Sequence, residues 1–88
     1  MELRTELPRQ RLIGMVRQIL GSELAGALPV DHPLSDLGMS SLKMIDLMLG
    51  VESEFGIAIP QQDITPENFL SIATVEALVM KLTAAADS

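Results

Sequence analysis

Three stretches of this chain repeat their apolar residues at helical spacing, and an apolar stripe on a helix must be buried against something. In residues 5–20, Leu12, Val16, Ile19 and Leu20 fall at i, i+4, i+7 and i+8, with Ile13 beside them. Thr5 is a candidate N-cap there, and Pro8 fits only near the first turn, so the start moves toward Leu7 or Pro8. Residues 41–55 carry apolar residues on more than one face: Leu42, Ile45 and Leu49, and the set Met48, Val51 and Phe55. Gly56 is placed to end that helix. Near the end of the chain Val75, Leu78, Val79 and Leu82 repeat the pattern, with Thr74 as cap and 84–88 expected to fray.

The connections are less regular. Residues 22–39 make a long loop punctuated by Gly26, Pro29, Pro33 and Gly38. Its spaced Leu28, Val30, Leu34 and Leu37 are expected to pin it to the core. Residues 57–60 read as a short apolar connector. Thr65-Pro66-Glu67-Asn68 has the composition of a helix start, which predicts a short helix over 66–71. The expected fold is therefore all-α: a small four-helix bundle with three longer helices, one short helix and a long first loop. It spans one domain, 1–88, with its core over about 8–83.

Composition supports this and removes several functions. The chain has two Phe and no Tyr or Trp, so its core must be built from aliphatic residues and methionine. Cysteine is absent, which excludes disulfides, thiolate metal sites and a Cys nucleophile. No apolar run is long enough for a membrane span. The first residues lack a secretory pattern, so a cytoplasmic location is expected. Net charge is -6, with a small basic excess in residues 1–17 and an acidic remainder. That balance argues against nucleic-acid binding, which needs a basic face.

Few residues could carry catalysis. A serine nucleophile needs a base, and the one histidine, His32, lies in a loop with no Gly-x-Ser-x-Gly turn in the chain. Asp31, Asp36 and Asp46 lack the alternate spacing of a calcium loop. Glu52 and Glu54 lie two apart and do not share a helix face. Ser40 and Ser41 remain, at the expected start of the second long helix. There an attached anion would meet free backbone N–H groups and the positive end of the helix dipole. Either serine also reads as a simple cap.

The string from Pro33 to Leu42, PLSDLGMSSL, followed by Ile45, Asp46, Leu47, Glu52, Glu54-Phe55-Gly56-Ile57 and Ile59-Pro60, resembles the acyl carrier protein family. The resemblance covers about residues 8–83. It implies that Ser41 carries covalent 4′-phosphopantetheine, attached by a phosphopantetheinyl transferase using coenzyme A. Ser41 is preferred to Ser40 because Leu42 follows it and the downstream spacing then aligns. The family usually has Asp where this chain has Ser40, and its fatty-acid members usually have an acid where it has Lys43. The segment from Asp63 to Phe69 is also longer than in fatty-acid carriers.

The implied role is a non-catalytic, monomeric carrier of acyl or aminoacyl groups as thioesters. It would be presented to an acyl- or amino-acid-activating ligase and to downstream acyltransferases or synthases. The implied partner face is Leu42, Lys43, Ile45, Asp46, Leu49 and Glu52, with Leu47, Val51 and Phe55 turned to the core. Two alternatives stand beside this one. The first is an aminoacyl carrier for a stand-alone amino-acid ligase, as distinct from a fatty-acyl or polyketide carrier. The second is an unmodified helical interaction module in which both serines merely cap.

Overall fold

A computed structural model describes residues 8–21 and 28–87, with no strand among them. Three α-helices form the body: α1 Pro8–Leu20, α2 Ser41–Phe55 and α3 Ile72–Asp87. Two 3₁₀ helices, Leu34–Leu37 and Gln61–Asp63, lie in the connections. The expected Thr5 cap lies outside the described residues, and Pro8 takes the first helical position, where its missing N–H has no intrahelical partner to lose.

Helix α1 packs on both α2 and α3, while α2 and α3 meet only narrowly. The core between them is aliphatic, as composition requires. Leu12, Val16 and Leu20 of α1 meet Leu47 and Val51 of α2 and Ile72, Val75, Leu78 and Val79 of α3 in one cluster. Ile13, Ile19, Phe55 and Leu82 pack against its margin. Arg11 ties α1 to the end of α2: its Nε donates to Glu54 Oε2 at 2.8 Å, its Nη2 to the Glu54 carbonyl at 2.7 Å, and its guanidinium lies 4.5 Å from the Phe55 ring centroid.

The first loop is pinned as expected. Leu28 and Leu34 are buried, and Val30 and Leu37 pack against the core. Two backbone bonds stitch the loop to the base of α3: Leu34 N–H to the Leu70 carbonyl at 2.7 Å and Ala73 N–H to the Val30 carbonyl at 2.9 Å. Gly38 closes the 34–37 helix at φ 97°, and Gly56 ends α2 at φ 64° with its N–H on the Glu52 carbonyl. Both conformations are left-handed and favour glycine.

The segment before α3 departs from expectation. Residues 66–69 form a hydrogen-bonded turn and not a short helix. Thr65 Oγ1 accepts the Asn68 N–H at 3.1 Å, as a cap should, and the Thr65 carbonyl accepts the Phe69 N–H at 3.2 Å. The chain then redirects, because Phe69 is buried and the Leu70 carbonyl is committed to Leu34. The cap of α3 also moves, from Thr74 to Ser71. Ser71 Oγ accepts the Thr74 N–H at 3.3 Å and Thr74 Oγ1 accepts the Ser71 N–H at 3.0 Å, a reciprocal cap. At the far end α3 continues through Asp87 where fraying was expected, and the Ala84-Ala85-Ala86 run there has the highest helix propensity of any residue type.

Candidate functional site

The start of α2 separates its two serines. After Gly38 the chain buries Met39, whose N–H donates to the Leu34 carbonyl at 3.1 Å. Ser40 is extended, at φ -78° and ψ 172°, and its carbonyl accepts the Met44 N–H at 2.8 Å. Its Oγ accepts the Lys43 N–H at 3.2 Å. Ser40 is thus the N-cap, and Ser41 is the first helical residue. Ser41 is exposed, and its hydroxyl has no partner among the described residues.

A groove of about 570 Å³ opens beside Ser41, between α2 and the segment 64–70. Ser41, Met44, Ile45 and Met48 line it along α2, at i, i+3, i+4 and i+7, and Ile64, Phe69 and Leu70 line the opposite wall. Ser35, Ser40 and Thr65 add hydroxyls to a lining that is otherwise mostly apolar. The narrow contact between α2 and α3 leaves room for this groove.

The remaining sequence-derived positions divide by environment. Leu42, Ile45 and Leu49 are exposed at 77%, 46% and 56% of their surfaces, while Leu47 and Val51 are fully buried. Asp46 is exposed, and Lys43 is half-buried with no ion-pair partner among the described residues. Glu52 differs from the others. It is half-buried, and its Oε2 accepts the Ile59 N–H at 2.8 Å, holding the connector after α2 against the helix. Its carboxylate therefore holds the fold, whereas the family resemblance implies a place among the partner-facing charges.

His32 is exposed and donates only its backbone N–H, to the Pro29 carbonyl at 3.4 Å. No cluster of three or more metal-binding side chains occurs among the described residues. Sequence reasoning did not single out Ile64 and Leu70, which are 44% and 51% exposed on the groove wall. An apolar residue in an irregular segment has no periodicity to show which way it faces.

These features fit a covalently attached anionic group. An exposed, unpartnered hydroxyl stands at the first position of a 15-residue helix, where the leading N–H groups lack intrahelical acceptors. A mostly apolar groove runs away from it.

Comparison with known proteins agrees. The family model for a phosphopantetheine attachment site matches residues 10–80. Aminoacyl carrier protein 1 of Bradyrhizobium diazoefficiens is 48% identical over 73 residues, covering 82% of this chain and 81% of the relative. Aminoacyl carrier protein 2 of the same organism is 41% identical over 76 residues, covering 82% of each. Among solved structures, that of Bradyrhizobium japonicum glycine:[carrier protein] ligase complexed with glycylated carrier protein contains a similar chain. The match has 46% identity and a TM-score of 0.67, and covers 80% of this chain and 96% of that one. The helical fold and these relatives agree: the chain belongs to the acyl carrier protein family, whose covalent prosthetic group is 4′-phosphopantetheine.

Proposed function

We propose that this protein is an aminoacyl carrier whose prosthetic group is attached through Ser41 Oγ. The observation that carries the site assignment is the division of labour at the start of α2. Ser40 Oγ is committed to the Lys43 N–H, whereas the Ser41 hydroxyl is exposed and unpartnered. The cargo assignment is supported by relatives named as aminoacyl carriers and by a solved neighbour that is glycylated. These favour an amino acid over a fatty-acyl or polyketide cargo. Family membership displaces the reading of the chain as an unmodified interaction module.

When bound, the arm supplies a thiol that holds the cargo as a thioester. The chain's own residues position and present it. Ser40 fixes the first turn of α2, so that Ser41 leaves the helix in one direction. The N–H groups of that turn and the helix dipole favour an anion on Ser41 by about 0.3–1 kcal/mol. Leu42, Lys43, Ile45, Asp46 and Leu49 surround the attachment point as the partner face, with Glu52 at its margin through its hold on Ile59. The chain contributes no catalytic group; its effect is to raise the local concentration of cargo at each enzyme it visits. Its partners on this reading are a phosphopantetheinyl transferase, an amino-acid-activating ligase and downstream transferases or synthases in the cytoplasm. Among the described residues no helix is long and apolar enough to cross a membrane.

Intact mass after co-expression with a phosphopantetheinyl transferase tests the site. The wild type and Ser40→Ala should each gain one phosphopantetheine and Ser41→Ala none; a gain on Ser41→Ala refutes the assignment. Mass spectrometry of the holo-protein isolated from its host tests the cargo. An amino acid on the arm is expected, and a long acyl chain refutes it.

A further inference from the structure

The chain has two lysines, Lys43 and Lys81, and the structure treats them differently. Lys81 is engaged: its Nζ lies 3.3 Å from Asp63 Oδ1, and Asp63 is buried. It stands nine residues, about 14 Å, along α3 from the end that the Leu34–Leu70 bond joins to the loop before α2. Lys43, in the first turn of α2, is half-buried and has no ion-pair partner among the described residues. Asp46, the next acid along the same helix, is exposed and not paired to it. The residue that caps the turn is the neutral Ser40.

Lys43 also has a fixed relation to the attachment point. The Ser40 Oγ bond that starts α2 ends on the Lys43 N–H itself, so the backbone carrying this side chain is held relative to Ser41. Two residues on a helix are about 3 Å apart along the axis and lie on opposite sides of it, so about one helix width, 10–12 Å, separates them. A phosphopantetheine arm has the backbone length of about five residues and extends to about 16–18 Å. The amine therefore lies within reach of an arm rooted at Ser41. An arginine at this position would not be a nucleophile, because a guanidinium stays protonated in proteins.

We infer that Lys43 Nζ is an acyl acceptor: cargo left waiting on the arm is transferred to it, and Lys43 becomes aminoacylated. The inference rests on attachment at Ser41 and takes only its cargo from the aminoacyl reading. The unprotonated Nζ attacks the thioester carbonyl. The C–N bond forms as the C–S bond breaks, and the sulfur leaves with the electron pair and takes up a proton as the nitrogen loses one. An amide replaces a thioester, the free thiol returns, and no other reactant is consumed. Because the amide is the more stable linkage, the transfer runs one way and clears cargo that no downstream enzyme takes up. Tethering sets the rate, since arm and amine on one chain meet at millimolar effective concentration. Carrier at about 10 µM should therefore acylate itself about a hundredfold faster than it acylates a neighbour.

The test uses the full chain with its arm installed already charged, by a phosphopantetheinyl transferase acting on glycyl-coenzyme A, so that no ligase or adenylate is present. Wild type, Lys43→Arg and Lys81→Arg are loaded to completion, verified by mass, incubated, and treated with hydroxylamine, which strips thioesters and spares amides. Peptide mapping by mass spectrometry then locates any glycyl group that survives. Wild type and Lys81→Arg should retain it on the peptide containing Lys43. Lys43→Arg should lose at least about nine-tenths of it, and charged Lys43→Arg mixed with Ser41→Ala should label the latter about a hundredfold more slowly. A surviving glycyl group absent from loaded wild type, or mapped to Lys81 or the N-terminal amine, overturns the inference and leaves the carrier reading standing. So does equal labelling of Ser41→Ala by glycyl-coenzyme A alone, which would mean direct acylation without the arm. A wild type that takes up no arm overturns attachment at Ser41, and the inference with it.

Discussion

Replacing Ser40 with alanine removes the oxygen that accepts the Lys43 N–H at 3.2 Å. Loss of an N-cap costs about 0.5–2 kcal/mol. This bond is exposed, so water takes over part of its role and the lower half of that range applies, about 0.5–1 kcal/mol. For a domain of this size that is a fall in Tm of about 2–8 °C. Ser40→Asp should restore the cap and add a favourable charge at the helix N-terminus, placing Tm at or above wild type. Ser41→Ala removes an unpartnered hydroxyl at the first helical position, so its apo-protein should melt within about 0.5 kcal/mol of wild type. The assay is thermal and urea unfolding of the four apo-proteins by circular dichroism, read beside their loading by mass spectrometry. The reasoning requires a double dissociation, with Ser40→Ala destabilised yet loaded and Ser41→Ala stable yet unloaded. A Ser41→Ala variant that melts lower than Ser40→Ala would refute it.

The two leucines flanking Met48 should behave oppositely: Leu47→Ala, at a fully buried position, should cost about 2–5 kcal/mol in urea unfolding. Leu49→Ala, more than half exposed, should leave stability within about 0.5 kcal/mol and raise the ligase KM. Glu52→Ala leaves the Ile59 N–H without its acceptor and should cost about 1–3 kcal/mol, with faster amide exchange at Ile59 by NMR. Glu52→Gln keeps an acceptor oxygen and should recover part of that loss. Gly14 lies in mid-α1 with open space where a Cβ would stand, so Gly14→Ala should raise stability by about 0.5–1 kcal/mol by the same unfolding assay.

Much of this protein is legible in the local chemistry of its chain. The stripes of α1 and α3 name Leu12, Val16, Leu20, Val75, Leu78 and Val79, all of which are buried. Gly56 is readable as the end of α2 because a left-handed terminus suits glycine. The motif around Ser41 and the continuation through Pro60 carry the family resemblance. The α3 cap is less legible: Ser71 and Thr74 are both competent caps three residues apart, and the structure uses them as a reciprocal pair headed by Ser71.

Sequence by itself therefore determined an aliphatic helical fold and a serine pair at the head of α2. Only the tertiary structure decided which serine caps α2. Either hydroxyl could cap, and a shift of one residue in the helix start exchanges their roles. Tertiary contacts also decided which apolar residues of α2 remain exposed, since periodicity finds its faces but cannot tell which face a neighbour covers. Packing of α1 claimed Leu47 and Val51 and left Leu42 and Leu49 outside. Burial of Phe69 and the bond from Leu34 to Leu70 turned a predicted short helix into a fixed turn. That turn brings Ile64 and Leu70 to the groove beside Ser41, through contacts between residues far apart in the chain that no local pattern records.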